Sequence, residues 1–133
     1  MRVYVPKSNE YHLDKHRYLE LRSFCLQYPT WASCVKDCYG LKAVSGGGVR
    51  SSTPSNPTAQ AAEAADKYRR KMEMVEKAAR EADPYLYKWI MLNVTTGSSY
   101  DIMCRRGNNP PCGVNQFYRA RQKFFYLLSA IKE

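Results

Sequence analysis

The sequence predicts an all-α protein. No strand-like alternation of useful length occurs. Apolar residues recur at steps of three and four over most of the chain, and the breaks carry proline, glycine and capping residues. A chain of 133 residues can bury a real core as one small domain with an arm, and it is too short for a large multidomain enzyme.

Residues 1–43 are expected to form an amino-terminal helical hairpin. Between His12 and Tyr28, the positions Leu13, Tyr18, Leu21, Phe24, Cys25 and Tyr28 are mostly spaced by three or four, as an amphipathic helix requires, and Pro29 is expected to end it. A second, shorter helix is expected over Thr30–Leu41, with Thr30 as its cap and Gly40 near its end. Residues 44–57, VSGGGVRSSTPSNP, hold three glycines, four serines and two prolines, which is the composition of a linker.

The helical domain is expected over residues 58–133. Asn56-Pro57 reads as an N-cap followed by proline at the first helical position, where the missing N–H costs nothing. From there Ala61, Ala65, Tyr68, Met72, Val75, Ala79 and Ala82 recur at alternating steps of four and three, three heptads of one seam. Such a seam packs on its own domain or on a second copy in a homodimer. Its alanines favour close intramolecular packing.

Asp83-Pro84 repeats the cap-plus-proline signature before PYLYKWIMLNVTTG, which is apolar on nearly every face and so belongs at the centre of the core. Gly97 stops it. Ser98 or Ser99 can cap a short helix, SYDIMCRR, that ends at Gly107, and after NNPPCG the last helix runs from about Val114. Residues 98–131 thus have the plan of a helix-turn-helix, whose second helix enters the major groove of DNA.

Charge points the same way. The chain carries a net charge of +9, and residues 98–133 hold six basic groups against two acidic ones, so the excess concentrates in the candidate motif and favours a polyanion partner. Projected at 100° per residue, Val114, Phe117, Tyr118, Phe124, Phe125, Leu128 and Ile131 fall on one side of the last helix. Asn115, Gln116, Arg119, Gln122, Lys123 and Tyr126 fall on the other. Arginine and lysine can bond guanine O6 and N7, and asparagine or glutamine can bond adenine N6 and N7, so this side has the groups for reading base edges. Contacts are expected from the first turns, at Asn115, Gln116 and Arg119. Arg105 and Arg106 suit the end of the preceding helix and would also reach phosphates. Arg121 projects onto the apolar side, where it would pair with an acid such as Asp101 or extend to the edge.

His12 and His16, and Cys34 and Cys38, have i, i+4 spacing on the two expected amino-terminal helices. Four such N and S ligands on antiparallel helices would suit a structural zinc, and a zinc-stabilised helical adaptor is one alternative reading. Zinc sites more often use a C-x2-C knuckle, and both pairs are also ordinary helix residues, so no metal or other cofactor is expected. No P-loop, H-E-x-x-H or G-x-S-x-G motif occurs, and no enzyme activity is expected. The longest apolar run, Trp89-Ile90-Met91-Leu92, is far short of the roughly 18 residues of a membrane span. The first residues are charged and lack a secretory core, so a reducing compartment and free thiols are expected.

The segment VTTGSSYDIMCRRGNNPPCGVNQFYRARQKFFYLLSAI resembles the carboxy-terminal region of ArpU/RinA-like phage transcriptional regulators, in which a short helix, a turn and an F-Y-x-x-R-x-K-F-F-x-L-L helix form a sigma-region-4-like helix-turn-helix. The preceding NPTAQAAEAADKYRRKMEMVEKAAREADPYLYKWIMLNV is similar to the helical lead-in of small prophage proteins of this kind. The resemblance covers residues 56–131. It departs at the extra proline of NNPPCG and at the amino-terminal hairpin. It implies that Gly113 to Arg121 face bases, that Phe117, Tyr118, Phe124, Phe125 and Leu128 pack inward, and that the protein regulates phage or prophage transcription in the bacterial cytoplasm. Its partners would be double-stranded DNA and RNA polymerase. The alternative is a phage-encoded inhibitor, anti-CRISPR-like or otherwise anti-defence, that docks its basic face on a host protein or nucleoprotein complex.

Overall fold

The computed structural model describes residues 11–38 and 57–132. Among them are six helices and no strand: α1 (Lys15–Leu26), α2 (Tyr28–Lys36), α3 (Pro57–Ala82), α4 (Tyr87–Thr96), α5 (Tyr100–Arg105) and α6 (Val114–Lys132). The protein is all-α. The glycine- and serine-rich stretch before Pro57, the Asn56 cap and the expected end of the second helix at Gly40 and Leu41 lie outside the described residues.

The chain divides into two compact units. One comprises Tyr28–Glu73, and the other joins α1 to the segment from Met74 onward. This departs from the hairpin domain expected over residues 1–43, because α1 packs against α4 and α6. The reason lies in the side chains α1 offers to the carboxy-terminal helices. Leu21 and Cys25 are fully buried, the Tyr18 ring meets Phe125 edge-on with centroids 5.1 Å apart, and Arg17 donates from Nε to Ser129 Oγ at 2.9 Å and from Nη2 to the Ser129 carbonyl at 2.8 Å.

Two prolines behave differently from the expectation. Pro29 does not end a helix. α1 ends at Leu26 with Gln27 as its C-cap, and Pro29 stands in the first turn of α2, where its lack of an N–H leaves no intrahelical bond unmade. Thr30 is therefore helical and caps nothing. Asp83-Pro84 likewise does not open α4 directly. Asp83 Oδ1 accepts from the backbone N–H groups of Tyr85 and Leu86 at 3.0 and 3.2 Å, closing one turn before α4 begins at Tyr87.

Other boundaries follow the sequence. α3 starts at Pro57. Gly97, at φ +77°, ends α4 in the left-handed conformation and donates to the Asn93 carbonyl at 2.9 Å, a position at which a side chain would strain the backbone. Ser99 caps α5 by accepting from the Ile102 N–H at 3.2 Å. The core of the larger unit is built from Val75, Ala79, Leu86, Ile90, Met103, Phe117, Phe124 and Leu128, all at most 1 % exposed. Of the α3 seam, Ala65, Val75, Ala79 and Ala82 are buried by the chain itself, and Ala61, Tyr68 and Met72 are half-buried. In the smaller unit the Trp31 ring is buried with the Lys71 ammonium 5.8 Å from its centre, and the neighbouring Cys34 pushes the Tyr68 phenol pKa up.

Candidate nucleic-acid interface

The carboxy-terminal segment is packed and hydrogen-bonded on its inner side. α5 ends at Arg105 with Arg106 as its C-cap, and Gly107, at φ +81°, reverses the chain. The following loop is tied to α5 by the Tyr100 hydroxyl, which donates to the Cys112 carbonyl at 2.5 Å. Burial, followed by the neighbouring Cys104, Cys112 and Asp101, pushes the Tyr100 phenol pKa up, so it remains a donor at neutral pH. The Tyr100 N–H in turn donates to the Tyr118 hydroxyl at 3.2 Å, linking the start of α5 to α6. Pro110 is buried, which fixes the loop at its middle.

α6 begins as its phenylalanines require. Phe117, Phe124, Phe125 and Leu128 are at most 2 % exposed, with the Phe124 and Phe125 rings in edge contact at 4.9 Å. That buried stripe orients the opposite side outward. Asn115, Gln116 and Arg119 are all exposed, as are Arg105 and Arg106. None of the five side chains makes a hydrogen bond or ion pair among the described residues.

Two of the residues expected on this outward side do not belong fully to it. Gln122 is half-buried, and its Nε2 is enclosed without a hydrogen-bond partner. Lys123 is also half-buried. Gln122 projects to the border between the two sides, so a small rotation of the helix is enough to turn it inward. Val114 departs the other way: it was expected inward and is 43 % exposed.

The largest correction concerns Arg121. Among the described residues it pairs with no acid, and it does not extend to the edge. It is 9 % exposed, and its Nε donates to Asn93 Oδ1 at 2.6 Å while Nη2 donates to the Tyr18 hydroxyl at 3.0 Å. Its guanidinium carbon lies 5.0 Å from the Phe125 ring centre and 5.7 Å from those of Tyr18 and Tyr118. Asn93 donates in turn from Nδ2 to the Ser98 carbonyl at 2.8 Å. α1, α4 and α6 are thus joined through one cation. A lone arginine on an apolar stripe and a lone asparagine inside IMLNV were the two signals that, taken together, would have found the pair.

His12 precedes the Asp14 cap of α1, so it does not share a helical face with His16. Cys34 lies within α2 and Cys38 in the π-helical turn that follows it, and both lie near Tyr68. Among the described residues no three histidine, cysteine, aspartate or glutamate side chains come together as a metal ion requires. No described helix is long and apolar enough to cross a membrane.

No family model matches the chain, and neither a curated protein nor a solved structure matches it.

Proposed function

We propose that the protein binds double-stranded DNA through the first turns of α6 and acts as a transcriptional regulator of phage or prophage type. The supporting observation is the exposure of Asn115, Gln116 and Arg119, unengaged, on a helix whose other side is locked into the core. A helix packed on one side, with free amide and guanidinium groups in its opening turns, is what major-groove reading needs. Arg105 and Arg106, exposed at the end of α5, supply charge for phosphates, which position a protein without carrying sequence information. The phage role, the bacterial cytoplasm and RNA polymerase as a second partner rest on the likeness of residues 56–131 to the ArpU/RinA-like regulators.

Selection of binding sites from a random duplex library by the purified full chain tests this reading. Enrichment of one motif, bound with an affinity that falls steeply with salt, is expected. Failure of any motif to enrich would move the exposed face from base reading to docking on a host protein.

A further inference from the structure

Arg121 has a second consequence, independent of DNA. A guanidinium stays charged at every physiological pH, and burying a charge is costly unless an opposite charge and hydrogen bonds compensate it. Here the compensation comes from neutral groups alone, two hydrogen-bond acceptors and the rings of Tyr18, Tyr118 and Phe125. Both hydrogen-bond acceptors of Arg121, Asn93 Oδ1 and the Tyr18 hydroxyl, are neutral, and no carboxylate lies within ion-pair distance among the described residues. Nη1 has no hydrogen-bond partner among them and is not enclosed, so it opens to solvent. The nearby Cys25 thiol supplies no negative charge either, because burial pushes its pKa up to about 12.

The same guanidinium lines a cleft of about 50 Å³ formed by residues of α1, α4, α6 and the turn after α4. That exceeds several-fold the roughly 10–15 Å³ a single water needs. A second arginine, Arg22 of α1, lines it, and none of its lining residues is acidic. Arg22 makes no ion pair or hydrogen bond among the described residues. The Tyr118 hydroxyl, which accepts from the Tyr100 N–H, keeps its own proton to donate. Gly97 at the edge contributes no side chain, and a Cβ there would come within 3.8 Å of Leu26.

We propose that this cleft, lined by both Arg121 and Arg22, binds a single oxyanion group, either a phosphoryl or a carboxylate. Guanidinium forks match both groups geometrically, and charge-assisted bonds to them are the strong ones. The bound oxyanion supplies a negative charge opposite Arg121 and links it to Arg22 of α1. Tyr118, Arg121 and Phe125 lie on the inward side of α6, away from Asn115 and Arg119, so the site is distinct from the proposed DNA face. Its occupancy is a ligand input to the element that carries that face.

The test uses the full chain at constant ionic strength. Inorganic phosphate and acetate are titrated separately, with sodium chloride replacing each, while thermal unfolding and heats of binding are followed. A saturable rise in Tm with one of the two anions is expected. Phosphate alone would identify a phosphoryl ligand, acetate alone a carboxylate, and both an unselective oxyanion site. Arg22→Gln, at an exposed residue outside the core, should keep the helical circular dichroism and weaken binding at least tenfold. Arg121→Lys should weaken it further if it folds, and Arg22→Gln decides the matter if it does not. A response to both anions that only grows linearly with concentration, as general surface exclusion gives, would overturn the site. So would an Arg22→Gln protein that binds as the wild type does.

Discussion

Arg121 Nε donates to Asn93 Oδ1 at 2.6 Å, joining α6 to α4 across 28 residues of sequence in the buried interior. Each side chain is what makes the other tolerable there, since a buried polar group left without its partner costs about 1–3 kcal/mol.

Asn93→Ala should therefore destabilise the protein by about 1.5–3 kcal/mol, the range for hydrogen bonds to charged groups. Arg121→Ala should cost at least as much, because it also loses the Tyr18 bond and the ring contacts. Urea denaturation of the two single variants and the double variant should show non-additivity on the order of 1 kcal/mol, as contacting residues do. Strict additivity would mean that the bond contributes nothing.

Cys25 predicts a pH dependence. It is fully buried, and its folded-state pKa is raised from 9.0 to about 12 by burial, against a smaller opposing effect of Arg121. Between those values the unfolded chain has lost a proton that the folded chain retains, so stability falls as pH rises. The contribution is full below pH 9.0 and is lost progressively up to about 12, with a slope of at most about 1.4 kcal/mol per pH unit. Cys25→Ala should be less stable at neutral pH and lose stability less steeply above pH 9.0. Parallel curves for the two proteins would show that the thiol does not titrate as its burial requires.

The two sides of α6 should respond oppositely to truncation. Phe124, at 0 % exposure, should cost roughly 3–5 kcal/mol as Phe124→Ala. Asn115→Ala and Gln116→Ala, at exposed positions, should change stability by no more than about 0.5 kcal/mol. Thermal unfolding of the three variants measures this, and a large loss at Gln116 would mean that the outward side is engaged in the fold.

Ser99→Ala removes the side chain that accepts from the Ile102 N–H and should cost about 0.5–2 kcal/mol, the usual range for an N-cap. Ser99→Asp should retain the cap, because an aspartate oxygen accepts the same bond. Equal losses in both variants would remove the cap from the account.

The all-α class and most helix ends were legible because they depend on local chemistry. Pro57, Ser99, Gly97 and Gly107 act within one turn of their own backbone, and the phenylalanine stripe of α6 needs only helical periodicity. The prolines at 29 and 84 misled because the same residue can follow one helix, open the next or sit in a turn, and only the neighbouring backbone decides. The pairing of α1 with α4 and α6 was not legible, since Arg17 with Ser129 and Tyr18 with Arg121 are contacts across more than a hundred residues. For the same reason the outward positions Asn115, Gln116 and Arg119 could be read from helical spacing, whereas the cleft around Arg121 needed three helices in place.

The proposal that α6 reads bases is tested most directly by Arg119→Ala against Arg106→Ala, each titrated with the selected duplex and with mutated duplexes over a range of salt. Arg119→Ala should lose about 1–3 kcal/mol on the preferred site and relax the preference at one base pair. Arg106→Ala should weaken all duplexes alike and reduce the salt slope by about one. Identical behaviour of the two variants, with equal loss on every sequence, would show attraction of charge alone and contradict base reading by α6.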